Sequence, residues 1–204
     1  MGTWKKIVFQ LFDMLYIPDD LTHLKNRAFL HVSDTPSSFY PVLKRIIKFF
    51  NPRAVIHTGD LADEIKLGLY PFSLPQYCQK LYSLAPILEE DGERDVIIVL
   101  GNHDNGENVK KVFKRSETVK WSGKVTLKGL HFNLSHDYKG LPRSSGALNL
   151  FGHDQYMPEC VGREIYLNGL LSIHLIDPDE GKVYHLPYPR FVDQNRLLRR
   201  KRGL

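Results

Sequence analysis

Cysteine is scarce in this chain of 204 residues: Cys78 and Cys160 are the only two, and they form no CxxC pair. A disulfide framework is therefore not expected, and a reducing cytosol is the expected compartment. Long apolar runs are missing as well. The stretch from Ile7 to Ile17 is interrupted by Gln10 and Asp13. It falls far short of the roughly 20 residues a membrane span requires, and no small-residue cleavage site follows it. A helix packed on the domain is expected there, with an interfacial membrane helix or a partner-docking helix as alternatives. Internal repeats and low-complexity linkers are also absent, so one domain with a substantial core is expected.

Acidic residues are missing from the last nine positions, which hold Arg196, Arg199, Arg200, Lys201 and Arg202. Setting those five aside leaves 23 of the 28 basic residues, equal to the 23 acidic ones. The net charge of +5 thus belongs to a tail and not to the body of the chain. A terminal charge run is expected to be solvated; contact with nucleic acid or anionic lipid is the minor alternative.

What the chain does have is alternation. An apolar run at Ala28–Val32 reads as a strand, and Pro36–Phe50 carries Val42, Leu43, Ile46, Ile47 and Phe50 at helical spacing before Asn51-Pro52 stops it. Strand spacing returns at Ala54–Ile56 and Val96–Leu100. A helix is expected between them over Leu74–Glu90, with Pro86 marking a kink or break. A short helix over Asn108–Arg115 is a further candidate. Beyond about residue 117 short strands recur: 118–121, 124–127, 130–134, 147–151, 164–167, 171–176 and 182–186. The pattern predicts an α/β fold of two mixed sheets packed face to face, with helices outside and a site straddling the two halves.

Five of the strands end in polar blocks: Asp34; His57-Thr58-Gly59-Asp60; Gly101-Asn102-His103-Asp104; Ser135-His136; and Gly152-His153. Each has an ordinary reading alone. Asp34 fits a helix cap, Gly59-Asp60 and Gly101-Asn102 fit turns, and a single histidine is more often hydrogen-bonded than ligating. Jointly, they bring carboxylate, amide and imidazole groups to successive strand ends. Such ends converge on one sheet edge, where a metal can be held by residues far apart in sequence.

HTGDLAD, GNHD, LSHDYKGLP and FGHDQYMP, in this order, resemble the motifs of the calcineurin-like metallophosphoesterase superfamily. The resemblance covers residues 27–188, leaving 1–26 as an N-terminal helical extension and 189–204 as a basic tail. It implies a four-layer αββα sandwich and hydrolysis of a small phosphodiester or phosphomonoester by a metal-activated water. The implied cofactor is one or two divalent transition ions (Mn, Fe, Ni, Co or Zn), about 3.5–4 Å apart when two are present. Asp60 would bridge the pair, Asn102, His136 and His153 would complete one shell, and Asp34 would belong to the other. His103 would meet the departing oxygen, with Asp104 as its orienter; His57 and Asp63 would stand behind the ligands.

Two ligands of the superfamily pattern are absent. Pro36 stands where its D-x-H motif has histidine, and Gln155 where its final histidine falls. Both imidazoles belong to the shell that keeps Asp34, and a neutral amide oxygen makes Gln155 at most a weak ligand. The resemblance therefore leaves a second reading open, a non-catalytic scaffold retaining at most one metal.

Overall fold

The computed structural model describes residues 15–90, 92–156 and 164–196. The described residues form ten strands: β1 Phe29–Val32, β2 Ala54–His57, β3 Asp95–Val99, β4 Glu117–Val119, β5 Ser122–Leu127, β6 Leu130–Ser135, β7 Leu148–Phe151, β8 Ile165–Asn168, β9 Ile173–Ile176 and β10 Val183–Leu186. Four α-helices accompany them: α1 Tyr40–Phe50, α2 Leu74–Glu89, α3 Gly106–Val112 and α4 Arg190–Asn195. Six strands make one sheet in the order β10-β9-β1-β2-β3-β4, and four make a second in the order β5-β6-β7-β8. The first sheet is parallel from β1 to β4, with β9 antiparallel to β1. In the second, β6, β7 and β8 are parallel.

The mixed α/β arrangement of two sheets flanked by helices follows from side-chain alternation along the strands. Phe29, Ala54, Ile56, Ile97 and Val99 point from the larger sheet to Phe132, Leu134, Leu150 and Leu167 of the smaller one. Their neighbours Leu30, Val32, Val55, Val96 and Ile98 point the other way. They meet Leu43, Ile46 and Ile47 of α1, Leu81, Leu84 and Leu88 of α2, and Val109 of α3. Each such side chain contributes about 1.5–3 kcal/mol by leaving water. The outer face of the smaller sheet is covered in part by the segment 137–146, whose Tyr138 packs on Phe151 and Tyr166.

The sheets do not divide the chain into halves. β9 and β10 return to the larger sheet, with His31 opposite His174, and so clamp the last strands onto the first. α1 ends where Asn51 turns left-handed and its N–H bonds Ile47 O. α2 continues past Pro86 to Glu89, with the proline ring on the exposed face.

One expectation fails at the C-terminus. Residues 190–195 are helical, and Arg196 is fully buried instead of lying in a solvated basic tail. Its guanidinium donates to Asp34 O (2.6 Å), Ser33 O (3.0 Å) and Leu170 O (2.8 Å), pairs with Asp193 at 3.1 Å, and sits 4.2 Å from the Tyr188 ring centroid. Carbonyls left over at the end of β1 require donors, and a planar guanidinium reaches several at once. The remaining basic residues 197–204, and most of the helix expected over 7–17, lie outside the described residues.

Candidate metal centre

The carboxyl ends of β1, β2 and β3 carry Asp34, Asp60 and the loop Gly101–Asp104; those of β6 and β7 carry His136 and His153. Asp34, Asp60 and His153 all have left-handed backbones, with φ of 50°, 55° and 59°. Such strain persists where the surroundings enforce it, and here it accompanies the approach of three side chains to one another as each strand stops, Asp34 and Asp60 buried and His153 exposed. Glycine is needed between them. A Cβ on Gly101 would overlap the Asp60 carboxylate and come within 2.8 Å of the His136 ring, and one on Gly152 would overlap Ser33 and the Asp34 carboxylate.

Ligand-type atoms of Asp34, Asp60, His136 and His153 lie within 4.8 Å of one another. His136 Nδ1 donates to Thr58 O at 2.7 Å, which leaves Nε2 facing the cluster, 2.9 Å from Asn102 Oδ1 and 3.5 Å from Asp60 Oδ2. The His153 ring lies 5.0 Å from that of His136, and its backbone N–H donates to Asp34 Oδ2 at 3.0 Å. Asp34 is thus engaged across the two sheets, and α1 has no side-chain cap from it. One carboxylate, one amide oxygen and two imidazoles are a donor set that fits a single divalent transition ion. The Asp34 side fits a second ion poorly, since Pro36 offers no ligand and Gln155 is exposed beside a cavity of about 570 Å³ lined by Leu170, Pro187 and Tyr188.

The remaining expected residues serve in different ways. Asp104 does not reach for His103. Its carboxylate accepts from the N–H groups of Asp60 (2.8 Å), Leu61 (3.0 Å) and Gly101 (2.8 Å) and from the Tyr77 hydroxyl (2.8 Å), tying the β2 and β3 loops together. His103 is held instead by Gly68, whose N–H donates to Nδ1 at 3.2 Å, so the ring proton resides on Nε2. His57 is fully buried, accepts from Gly59 N–H on Nδ1 and donates from Nε2 to Thr35 Oγ1 at 2.9 Å. Burial lowers it to about 3, so it remains a neutral pin between the β1 and β2 loops. Asp63 joins Asp60 and His103 in a second cluster of ligand-type atoms within 4.8 Å. Burial, then the charges of Asp34 and Asp60, push its carboxyl upward, and Lys66 at 2.6 Å pulls it back.

Lys66, Gly68, Tyr77 and Arg196 are contributors that the sequence motifs do not mark. Among the aromatic residues of the segment 70–82, Tyr77 is core, while Tyr70, Phe72 and Tyr82 are exposed. A cavity of about 350 Å³ adjoins Asn102 on the other side, bordered by Lys110, Lys120 and Trp121.

Electrostatics couple the site to pH. Burial alone would lower the His136 pKa; the Asp60 hydrogen bond, the charges of Asp34 and Asp60 and the Thr58 carbonyl outweigh it and push it up to about 10. Burial would raise Asp60, but the His136 hydrogen bond and the charges of His136 and His103 bring it down to about 2. In the metal-free fold the stabilisation from His136 is complete below its unfolded pKa of about 6.5 and is lost as pH rises through about 10. That from Asp60 is present above about 3.8 and is lost as pH falls through about 2. A ligating His136 must be neutral, so an incoming ion displaces its proton. Apparent metal affinity should therefore rise about tenfold per pH unit between pH 6 and 9, with close to one proton released per ion. Calorimetric titration in buffers of different ionisation enthalpy checks this; affinity independent of pH would contradict it.

The chain is similar to known proteins in family and in fold. The family model described as calcineurin-like phosphoesterase matches residues 27–200. Among solved structures, the phosphoesterase Yfce from E. coli is 15% identical, with a TM-score of 0.50, over 80% of this chain and 100% of that one. A protein of unknown function from Aquifex aeolicus, AQ665, is 16% identical with a TM-score of 0.44, over 83% of this chain and 99% of that one. No curated protein sequence matches.

Proposed function

Because the chain belongs to the calcineurin-like phosphoesterase family, we propose that it hydrolyses a small phosphodiester or phosphomonoester with one resident divalent transition ion held by Asp60, Asn102, His136 and His153. The observation that carries this reading is the convergence of His136 Nε2, Asn102 Oδ1 and Asp60 Oδ2 from three different strand ends. An ion at that point supplies Lewis acidity toward a phosphate oxygen and lowers the pKa of a water nucleophile. His103 meets the leaving group as a hydrogen-bond donor. Burial keeps its pKa below the ordinary histidine value, so the ring is neutral at pH 7, and its Nε2–H stabilises the charge that develops on the departing oxygen, which takes its proton from water. The Asp104 ties, with the His103 N–H donating to Asp60 Oδ1, hold Asp60 and His103 in one frame, which would fix the imidazole relative to an ion on Asp60.

The purified chain should be assayed on bis(p-nitrophenyl) phosphate and p-nitrophenyl phosphate with Mn, Ni, Co, Zn and Mg. Turnover of at least one ester with at least one of the transition ions is expected, and His103→Ala should lower kcat about 10²–10⁴-fold with bound metal unchanged. Failure of the metal-loaded protein on both esters would remove the reading. A binding platform would then be favoured by the exposed Leu69, Tyr70 and Phe72 on the loop beside His103.

A further inference from the structure

Asp34, Asp60 and Asp63 bring three carboxylates to the site, only 4%, 2% and 1% exposed. Asp60 belongs to both ligand-type clusters, one with His136 and His153, the other with Asp63 and His103. On the side of Asp34, whose charge is felt at Asp63, Pro36 and Gln155 bring no imidazole to hold a second ion. What that side does have is Lys66. Its Nζ lies 2.6 Å from Asp63 Oδ1, while Asp63 Oδ2 is buried without a hydrogen-bond partner among the described residues. An ordinary surface pair between residues three apart leaves both groups in water; this one has a lysine side chain 17% exposed on a carboxylate 1% exposed. The backbone enforces the placement: Lys66 is left-handed (φ 48°), and its carbonyl accepts from Leu69 N–H and Tyr70 N–H, so the side chain folds back toward the site. The same turn presents Gly68 N–H to His103.

We propose that the Lys66 ammonium is the second positive charge of the centre, gripping a non-bridging phosphoryl oxygen opposite the single ion. This rests on the phosphoesterase reading and names how that site binds its substrate's phosphate. The ammonium brings three donors and one fixed charge, enough for one anionic oxygen while Asp63 keeps it in place.

The test uses the full chain loaded with metal and inorganic phosphate as the probe in calorimetric titrations. Lys66→Gln should weaken phosphate binding at least about tenfold, and Lys66→Arg should stay within about threefold of the parent. In both variants, as in the parent, bound metal should remain one ion per chain. For bis(p-nitrophenyl) phosphate, Lys66→Gln should lose about 10²-fold in kcat. Phosphate affinity unchanged in Lys66→Gln, or two ions bound by the parent chain, would overturn the assignment; the second result decides even if the glutamine variant fails to fold. If the parent hydrolyses neither ester, the phosphoesterase reading fails on its own, and phosphate titration still decides whether Lys66 grips the anion.

Discussion

Replacing Asp60 by asparagine is expected to lower hydrolysis about 10³-fold or more and to reduce metal uptake to a trace at micromolar ion. The substitution keeps shape and the acceptor that takes the His103 N–H at 2.9 Å, so the loops should stay in place. It removes the one charge common to both clusters. With that charge and its hydrogen bond gone, only the charge of Asp34 and the Thr58 carbonyl would support the His136 proton. The variant should therefore show a lower His136 pKa by NMR titration as well as lost activity. A chain that retains full metal uptake as Asp60→Asn would place the ion elsewhere.

The second large effect concerns stability. Arg196→Ala is expected to cost about 3–5 kcal/mol, because the carbonyls of Ser33, Asp34 and Leu170 lose their donors inside the protein. For a chain of this size that corresponds to a fall in Tm of about 10 °C. Arg196→Lys should recover only part of it, since an ammonium cannot span three carbonyls held by a planar fork. The readout is thermal unfolding by circular dichroism, and a loss below about 1 kcal/mol would show that the guanidinium is dispensable. Two of its three carbonyls belong to the Ser33-Asp34 corner, so metal affinity should fall with stability.

Arg196 also marks a boundary of what the sequence discloses. A cluster of arginines without acids has the composition of a solvated tail, and nothing local distinguishes the one that folds back under Tyr188. The convergence of carboxylate, amide and imidazole groups was legible for the opposite reason. Apolar runs ending in Asp, Gly-Asn-His or Gly-His identify strand ends, and parallel strands necessarily deliver their ends to one edge. The residue-level geometry was less accessible. Asp104 follows His103 directly, and adjacency suggests a pair; yet successive residues of a loop point apart, and the carboxylate turns to the N–H groups of the β2 and β3 loops. The return of β9 and β10 to the larger sheet depends on pairings more than a hundred residues apart, such as His31 with His174, which alternation within a segment cannot reveal.

Lys66 was invisible for a related reason. A lysine in a polar loop reads as surface, and its role emerges only where a left-handed backbone turns it onto a buried carboxylate. Under the role proposed for Lys66, Pro36 and Gln155 acquire a physical meaning: a covalently tethered cation would stand in for an imidazole-held one.

The proposed hydrolysis requires a single cation clasped between strand termini. Soaking crystals in manganese and collecting anomalous scattering tests it most directly. The account predicts one peak per chain, within bonding distance of the side chains at 60, 102, 136 and 153. Two peaks of comparable height, or one remote from those four groups, would contradict it.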